Sequence, residues 1–260
     1  MTSELVSIIT PCYNATRFIG QMIESIQAQT YTNWELLITD DCSTDNSCAI
    51  IKRYARNDNR IKLLRLAKNS GAGVARNNSI RQAHGRYIAF CDSDDMWKSH
   101  KLERQVEFMQ DNNCPFCYSS YDIVSEEGKQ TGYIRCRNTV SYTTLIRSNE
   151  IGCLTSIYDC ETLGKIYMPS IRKRQDWGLW LSIIKRCKRA YGVDESLAIY
   201  RQRRDSISSN KLEMLKYNFK LYNEVEGFSR FSSAALLLLY FMPYHIYKTL
   251  KHKLNYISQS

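Results

Sequence analysis

The sequence predicts an α/β fold with a mostly parallel sheet, flanked by helices and followed by a C-terminal helical extension. Four short apolar runs alternate with segments whose apolar residues recur at every third or fourth position, the spacing of amphipathic helices. Connections of a few residues favour right-handed crossovers between parallel strands. The 260 residues, 43% of them hydrophobic, are enough for a full core. An all-β fold is disfavoured because the runs lack alternation of apolar and polar residues.

The strands and helices of the first half follow the order of these runs. Strands are expected at residues 5–10, 34–39, 61–66 and 87–91. Helices are expected at residues 15–29, around Ala49 and Tyr54, from 69 to about 84, and around Leu102 and Met109. Ser43 or Thr44 is expected to cap the second helix, because a hydroxyl oxygen can accept from a free N–H group of a first helical turn.

The second half continues with shorter elements. Strands are expected at residues 115–121 and 131–137, joined by a hairpin turn at 126–129, and a further buried strand at 151–158. Helices are expected at 177–188 and 211–227. The sequence therefore predicts two parts, a domain at residues 1–209 and a helical, basic and apolar extension at residues 210–260.

Three carboxylates, Asp92, Asp94 and Asp95, lie where the fourth strand ends. Ligands bind at this edge of an open α/β sheet. Alternate Asp residues can direct two carboxylates to one point, which suits a divalent cation carrying a diphosphate. The alternative is a solvated turn whose Asp residues cap the next helix.

Charge and cysteine content restrict the setting of the protein. Residues 1–150 hold 18 Lys and Arg against 17 Asp and Glu, whereas residues 151–260 hold 18 against 9. The basic second half favours an anionic partner, either a membrane surface or a nucleic acid. The ten cysteines lie mostly in apolar runs, where free thiols behave as small core residues, and the chain opens without a signal-like leader. A reducing, cytoplasmic location is expected.

Three strand ends carry polar motifs in a fixed order: Thr-Pro-Cys-Tyr-Asn at 10–14, Asp-Asp-x-Ser-Thr-Asp at 40–45, and Asp-Ser-Asp-Asp at 92–95. This set resembles the family 2 glycosyltransferases, nucleotide-sugar-dependent enzymes of bacterial surface polysaccharide assembly. The resemblance covers about residues 4–205 and includes Gly-x-Gly-x-Ala-Arg-Asn at 71–77. It implies the GT-A fold, with a mostly parallel, Rossmann-like sheet.

The resemblance also implies a donor site. Pro11, Tyr13 and Asp41 match positions that hold the nucleotide base, with Asp41 accepting from a uracil ring. The Asp92–Asp95 region matches the motif that binds the ribose and the metal–diphosphate of the donor.

The metal ligands implied are Asp92 and Asp94, with Asp95 among the donor-binding residues. A bound Mg²⁺ or Mn²⁺ would offset the charge that develops on the departing nucleoside diphosphate. Arg76 would add a further positive charge, and a structural ion pair is its alternative role.

The acceptor side of the site is implied by the segment 172–181. Asp176 falls on the position of the general base, which takes the proton of the acceptor hydroxyl. Gln175 stands where the family usually has a first acidic residue. The alternative for Asp176 is a cap on the following helix.

The segment at 200–208 resembles a closing segment of the family that folds over the diphosphate. Arg201, Arg203 or Arg204 would pair with phosphate oxygens there. Arg203 stands where histidine is common, which keeps a cation but removes an imidazole that could bind a metal.

The C-terminal extension contains an apolar stretch at 231–244, followed by Lys248, Lys251 and Lys253. The stretch is shorter than the ~20 residues that span a bilayer. Aromatic residues with flanking lysines suit a helix in the interface of an anionic membrane. The alternative is a helix packed on the catalytic domain or on another subunit.

The resulting hypothesis is a metal-dependent, inverting glycosyltransferase. It would move a sugar from a nucleoside diphosphate, for which the resemblance implies UDP, to a hydroxyl of a lipid-linked or growing glycan. The enzyme would act as a peripheral protein at the inner face of the cytoplasmic membrane. A nucleic-acid partner is not expected. The alternatives are a sugar nucleotidyltransferase, which would carry a Gly-rich loop after the first strand, and a non-enzymatic basic nucleic-acid-binding protein.

Overall fold

Residues 3–203 and 211–244 are described by this computed structural model, and they form an α/β fold around one mixed sheet. Its strands are β1 (Val6–Cys12), β2 (Trp34–Asp40), β3 (Ile61–Arg65), β4 (Tyr87–Phe90), β5 (Met96–Trp97), β6 (Phe116–Val124), β7 (Gln130–Ile134), β8 (Thr139–Ser141), β9 (Ile157–Asp159) and β10 (Arg189–Arg201). Its helices are α1 (Ile19–Gln27), α2 (Ser47–Asn57), α3 (Ala72–Gln82), α4 (Lys101–Asp111), α5 (Tyr142–Leu145), α6 (Cys160–Leu163), α7 (Gln175–Cys187), α8 (Lys211–Lys220) and α9 (Arg230–Leu236). Single π-helical turns, Leu221–Val225 and Leu237–Phe241, continue α8 and α9.

The first half is the parallel sheet that the sequence predicts. Strands β3, β2, β1 and β4 lie side by side in that order, and each neighbouring pair is parallel. Every residue of β1 and β2 is buried, as expected for strands covered by helices on both faces. Helix α1 buries Ile19, Met22, Ile23 and Ile26, the spacing of one helical face. The α/β prediction is therefore confirmed.

The second half of the sheet differs from the prediction at the strand expected at 151–158 and at strands β8 and β10. The strand expected at 151–158 is only partly correct: Cys153–Thr155 form a 3₁₀ turn, closed by Thr155 bonding to the carbonyl of Gly152, and pairing begins at Ile157. The longest strand, β10, was not predicted. Two shifts in its pairing with β6, between Val193 and Ala198, interrupt the alternation of apolar and polar residues, so its sequence lacks a strand signature.

The cap predicted for the second helix was wrong. Helix α2 begins at Ser47, and Asp45 accepts from the backbone N–H and hydroxyl of Ser47 and from the N–H of Thr16. Partial burial opposes ionisation, but these hydrogen bonds lower the pKa of Asp45 to about 2. Ser43 instead accepts from the N–H of Asn14. These bonds fasten the loop after β1 to the loop after β2.

The segment 211–244 packs on the same face of the sheet as α7. Leu221 and Tyr222 are fully buried, and the rings of Tyr222 and Phe241 each lie 6.0 Å from the ring of Trp177. Trp180, one helical turn after Trp177, packs against Phe90 of β4. One apolar cluster therefore joins the end of the fourth strand to the C-terminal helices.

Lys101, at the start of α4, is fully buried beside the ring of Trp97, where desolvation lowers its pKa from 10.5 to about 7. Between these two values the unfolded chain holds the proton on Lys101 and the folded chain does not, so this group makes stability rise with pH. We expect the free energy of unfolding, measured in urea, to rise with pH more steeply for the wild type than for Lys101→Met. From pH 7 upward, the difference between the two should grow by up to about 1.4 kcal/mol per pH unit. The exposed Lys52→Met is the control; equal pH profiles for the two variants would contradict the assignment.

Candidate active site

A cavity of about 330 Å³ lies at the carboxyl end of β4, between the first turns of α3 and α7 and the last residues of β10. The structure brings together seven of the ten site residues that the sequence predicts: Arg76, Asp92, Asp94, Asp95, Asp176, Arg201 and Arg203. These residues come from four separate segments of the chain. Their convergence on one cavity makes this the candidate active site.

The other three predicted residues lie outside the lining of this cavity. Pro11 is buried in β1 opposite Thr39, and the Tyr13 side chain is half exposed just beyond it. Asp41 is buried, and its two carboxylate oxygens accept from the N–H groups of Ser70 and Gly71, each at 2.7 Å. Asp41 thus fixes the loop that leads into α3, a structural role that the sequence did not indicate.

Each carboxylate of the Asp92–Asp95 turn faces an arginine. Arg76 donates to Asp92 at 2.5 Å, Arg203 donates to Asp94 at 3.2 Å, and Asp95 accepts from the backbone N–H of Arg201. Burial is the main cause that raises the pKa of Asp94 and raises the pKa of Asp95 well above its usual range, and the charges of the neighbouring aspartates add to it. The turn therefore concentrates negative charge, and protein cations offset it.

Arg201 connects three parts of the fold and is almost fully buried. Its guanidinium donates to the carbonyl of Asp94, to the carbonyl of Glu126 in the β6–β7 hairpin, and to the side chain of Gln21 on α1. These three N–H groups face protein, while Arg201 also lines the cavity, so its role in binding the diphosphate stays a prediction. Arg203 donates to Asp94 and lies 5.7 Å from the ring of Phe18, and its side chain is 39% exposed.

Asp176 lies in the first turn of α7, and the helix cap is Arg174, so the alternative role of Asp176 as the cap is wrong. Asn149 donates to its carboxylate at 2.9 Å and orients it. Gln175 also lines the cavity, but its amide donates to the carbonyl of Ile171, and its side chain lies 2.5 Å from where a Cβ on Gly73 would be. Gln175 therefore packs α7 against α3, and Asp176 is the carboxylate of this motif that faces the cavity.

Several cavity residues were not assigned a role by the sequence. They are Ala72, Cys153, Arg172, Lys173, Arg174, Tyr200 and Met214. A basic run directly before Asp176 was the signal for three of them. Cys153 gave no signal, because a cysteine within an apolar run is typical of the core.

The carboxylates of the cavity suit a metal ion only when a bound substrate supplies further metal ligands. Within the described residues, no group of three or more His, Cys, Asp or Glu could hold a metal ion. Mg²⁺ and Mn²⁺ sites that also use substrate phosphates need one or two carboxylates, which Asp92 and Asp94 supply. Arg204 and the rest of the expected closing segment up to residue 208 lie outside the described residues.

Comparison with known proteins gives consistent matches. The sequence model described as Glycosyl transferase family 2 matches residues 7–163. TuaG of Bacillus subtilis is named as a teichuronic acid biosynthesis glycosyltransferase. It is 44% identical to this chain over 223 residues, covering 85% of this chain and 88% of TuaG. WfgD of Escherichia coli, named UDP-Glc:alpha-D-GlcNAc-diphosphoundecaprenol beta-1,3-glucosyltransferase, is 41% identical over 217 residues, covering 83% and 84%.

Solved structures share the fold at lower identity. TarS of S. aureus in complex with UDP-GlcNAc superposes with a TM-score of 0.71 and 22% identity, covering 91% of this chain and 71% of that one. The mannosyltransferase PcManGT of Pyrobaculum calidifontis, in complex with GDP-Man and Mn²⁺, superposes with a TM-score of 0.66 and 16% identity, covering 90% of this chain and 70% of that one. These two likenesses concern the arrangement of the sheet and helices.

Proposed function

The chain belongs to glycosyl transferase family 2, and we propose that it is an inverting enzyme that moves a sugar from UDP to a hydroxyl of a lipid-linked or growing surface glycan. The GT-A fold and glycosyltransferase class agree with the prediction from sequence. The family match decides against the nucleotidyltransferase and nucleic-acid-binding alternatives. What carries the proposal is one cavity that contains both the Asp92–Asp95 turn and Asp176.

The donor is proposed to lie along the Asp92–Asp95 turn, with its base toward Pro11, Tyr13 and the loop held by Asp41. Support comes from the contact of Asp41 with Gly71, because the next residue, Ala72, lines the cavity. UDP as the nucleotide is supported by the name of WfgD and by the complex of TarS.

Transfer requires a base on the acceptor side. Asp176 is proposed to take the proton from the acceptor hydroxyl as its oxygen attacks the anomeric carbon, from the face opposite the diphosphate, which inverts the configuration. Asn149 holds the carboxylate by one oxygen and leaves the other for the proton. Arg76 keeps Asp92 in place, and Arg203, beside Asp94, is a partly exposed cation proposed to face the departing diphosphate.

Metal dependence is part of the proposal. A divalent ion held by Asp94, with Asp92 nearby, would supply Lewis-acid stabilisation of the leaving diphosphate. Since Arg203 donates to Asp94, this arginine would have to release the carboxylate when such an ion arrives with the donor.

The C-terminal extension, residues 210–260, is proposed to hold the enzyme at an anionic membrane surface. No helix among the described residues is long and apolar enough to cross a membrane. Phe231, Leu238 and Leu239 are 85%, 59% and 69% exposed, while Phe241 in the same segment is buried on the core. The segment thus has one face packed on protein and an apolar face directed outward. The basic residues Lys248, Lys251 and Lys253 lie outside the described residues.

Removing this exposed apolar face is expected to release the protein from membranes. The double variant Phe231→Ser with Leu239→Ser loses buried apolar area at the interface, and we expect at least tenfold weaker co-sedimentation with vesicles containing phosphatidylglycerol. The exposed aromatic Tyr133, on β7, supplies the control Tyr133→Ser. Unchanged sedimentation of the double variant would contradict the membrane proposal.

The function itself is tested by titrating the protein calorimetrically with UDP, GDP, CDP and TDP, with and without Mn²⁺. We expect UDP to bind most tightly and only weakly without the metal. The UDP-sugars are then incubated with a lipid-linked acceptor, and transfer is followed by mass spectrometry. Absence of binding to all four nucleotides, with or without metal, would overturn the donor-site proposal.

A further inference from the structure

The cavity has two walls of opposite charge. One wall carries Asp92, Asp94 and Asp95. The other, directly before α7, carries Arg172, Lys173 and Arg174. The proposed donor chemistry uses the acidic wall and Asp176 and leaves the basic wall without a role.

Two of these three cations, Arg172 and Arg174, form no ion pair within the described residues. Lys173 is paired with Glu213 at 2.6 Å. Arg172 is exposed at the cavity, and Arg174 makes one hydrogen bond, to the neutral side-chain oxygen of Asn218, at 2.8 Å. The guanidinium of Arg174 also lies 5.6 Å from the ring of Trp177 and is attracted by the charge of Asp176. These contacts offset only part of the cost of its burial, and an anion in the cavity would offset more of it. Desolvation accordingly lowers the pKa of Arg174.

The backbone at Arg174 also points to a site. Its φ of 65° places it in the left-handed region, which non-glycine residues with long side chains rarely occupy. This conformation begins α7 and directs both Arg174 and Asp176 to the same cavity. The two residues are two positions apart, so their Cα atoms are at most about 7 Å apart.

We propose that Arg172 and Arg174 bind the diphosphate of an acceptor whose first sugar is linked through that diphosphate to a lipid. In such an acceptor, the attacking hydroxyl and the diphosphate lie on the same sugar and are separated by one six-membered ring. With the hydroxyl at Asp176, the diphosphate reaches the basic wall and stays away from the acidic one. This inference rests on the proposed function, since it assigns the acceptor of the same reaction.

The test compares two acceptors that differ only in the diphosphate. One is N-acetylglucosamine joined to an undecyl chain through a diphosphate, and the other is the undecyl glycoside without phosphate. Arg172→Gln is expected to raise KM for the diphosphate acceptor about tenfold, as for loss of one charge-assisted hydrogen bond, with kcat and the KM of the glycoside unchanged. Arg53→Gln, exposed on α2, is the control. An equal change for both acceptors, or none, would overturn the proposal.

A binding measurement separates failure of this inference from failure of the proposed function. Farnesyl diphosphate is titrated calorimetrically into the protein saturated with UDP and Mn²⁺. We expect farnesyl diphosphate to bind the wild type and to bind about tenfold more weakly to both Arg172→Gln and Arg174→Gln. Inorganic pyrophosphate should reproduce this binding only in part. Binding that is unaffected by both variants would overturn the inference even where turnover is normal. A wild type that binds farnesyl diphosphate through these arginines but transfers no sugar would leave the subsite standing and remove the proposed function.

Discussion

Replacing Asp176 with asparagine is expected to lower kcat by about a thousandfold while leaving donor affinity within about twofold of the wild type. The amide has nearly the same shape as the carboxylate and keeps the contact with Asn149, but it cannot take a proton from the acceptor hydroxyl. Loss of a general base typically reduces the rate by 10²–10⁴, about 3–5 kcal/mol of transition-state stabilisation. Initial rates with saturating donor and acceptor measure kcat, and calorimetric titration with UDP measures donor affinity.

The matched control for Asp176→Asn is Gln175→Glu in the same helical turn. Gln175 packs against Gly73 and donates to the carbonyl of Ile171, so glutamate there places a second carboxylate near the site without removing the first. We expect this variant to remain active. If Asp176→Asn keeps near-native turnover, the base is another group. If both variants lose donor binding, the first turn of α7 is needed for the fold of the site.

Replacing Asp94 with asparagine is expected to abolish the metal-dependent part of donor binding. Among the described residues, the side-chain hydrogen-bond partner of Asp94 is the partly exposed Arg203, so we propose this cavity carboxylate as the metal ligand. An amide oxygen is a weaker ligand than a carboxylate for Mg²⁺ or Mn²⁺. We expect the affinity for UDP in the presence of Mn²⁺ to fall at least tenfold, to the value that the wild type shows without metal.

Two further measurements make the Asp94 result specific. Asp111→Asn, exposed at the end of α4, should leave affinity with and without Mn²⁺ unchanged. In Asp94→Asn, Arg203 loses its anionic partner, so metal-free affinity for UDP should stay equal or rise slightly. A parallel loss of affinity with and without metal would instead indicate that Asp94 supports the fold of the site.

The sequence predicted the parts of the fold that repeat one regular pattern. Strands β1, β2 and β4 are mostly apolar and buried on both faces, so their composition and order suffice. The edge strand β3 is partly exposed, and its place in the alternation of strands and helices identified it. Strand β10 could not be found in this way, because its pairing shifts twice and it carries the charged residues Asp194 and Glu195. The cap of α2 was misassigned because four polar residues, all able to cap, precede the helix. Asn46 occupies the cap position, and Asp45 accepts from Ser47 and from the backbone N–H of Thr16.

For the candidate site, the sequence identified the residues better than it identified their contacts. Motif order placed Asp92, Asp94 and Asp176, which the fold brings to one cavity. It could not show that Arg201 donates to groups on α1 and on the β6–β7 hairpin, since these contacts join residues 180 and 75 positions apart. Nor could it show which cations of the run 172–174 are already neutralised, because Glu213 lies 40 positions further along the chain.

The contacts of Arg201 have a consequence during protein synthesis. The loop that carries Asp94 emerges from the ribosome about a hundred residues before the side chain that joins it to Gln21 and Glu126. A nascent chain that already contains β1 to β4 therefore has the aspartates but lacks their support. The loop gains these contacts only after Arg201 has left the exit tunnel.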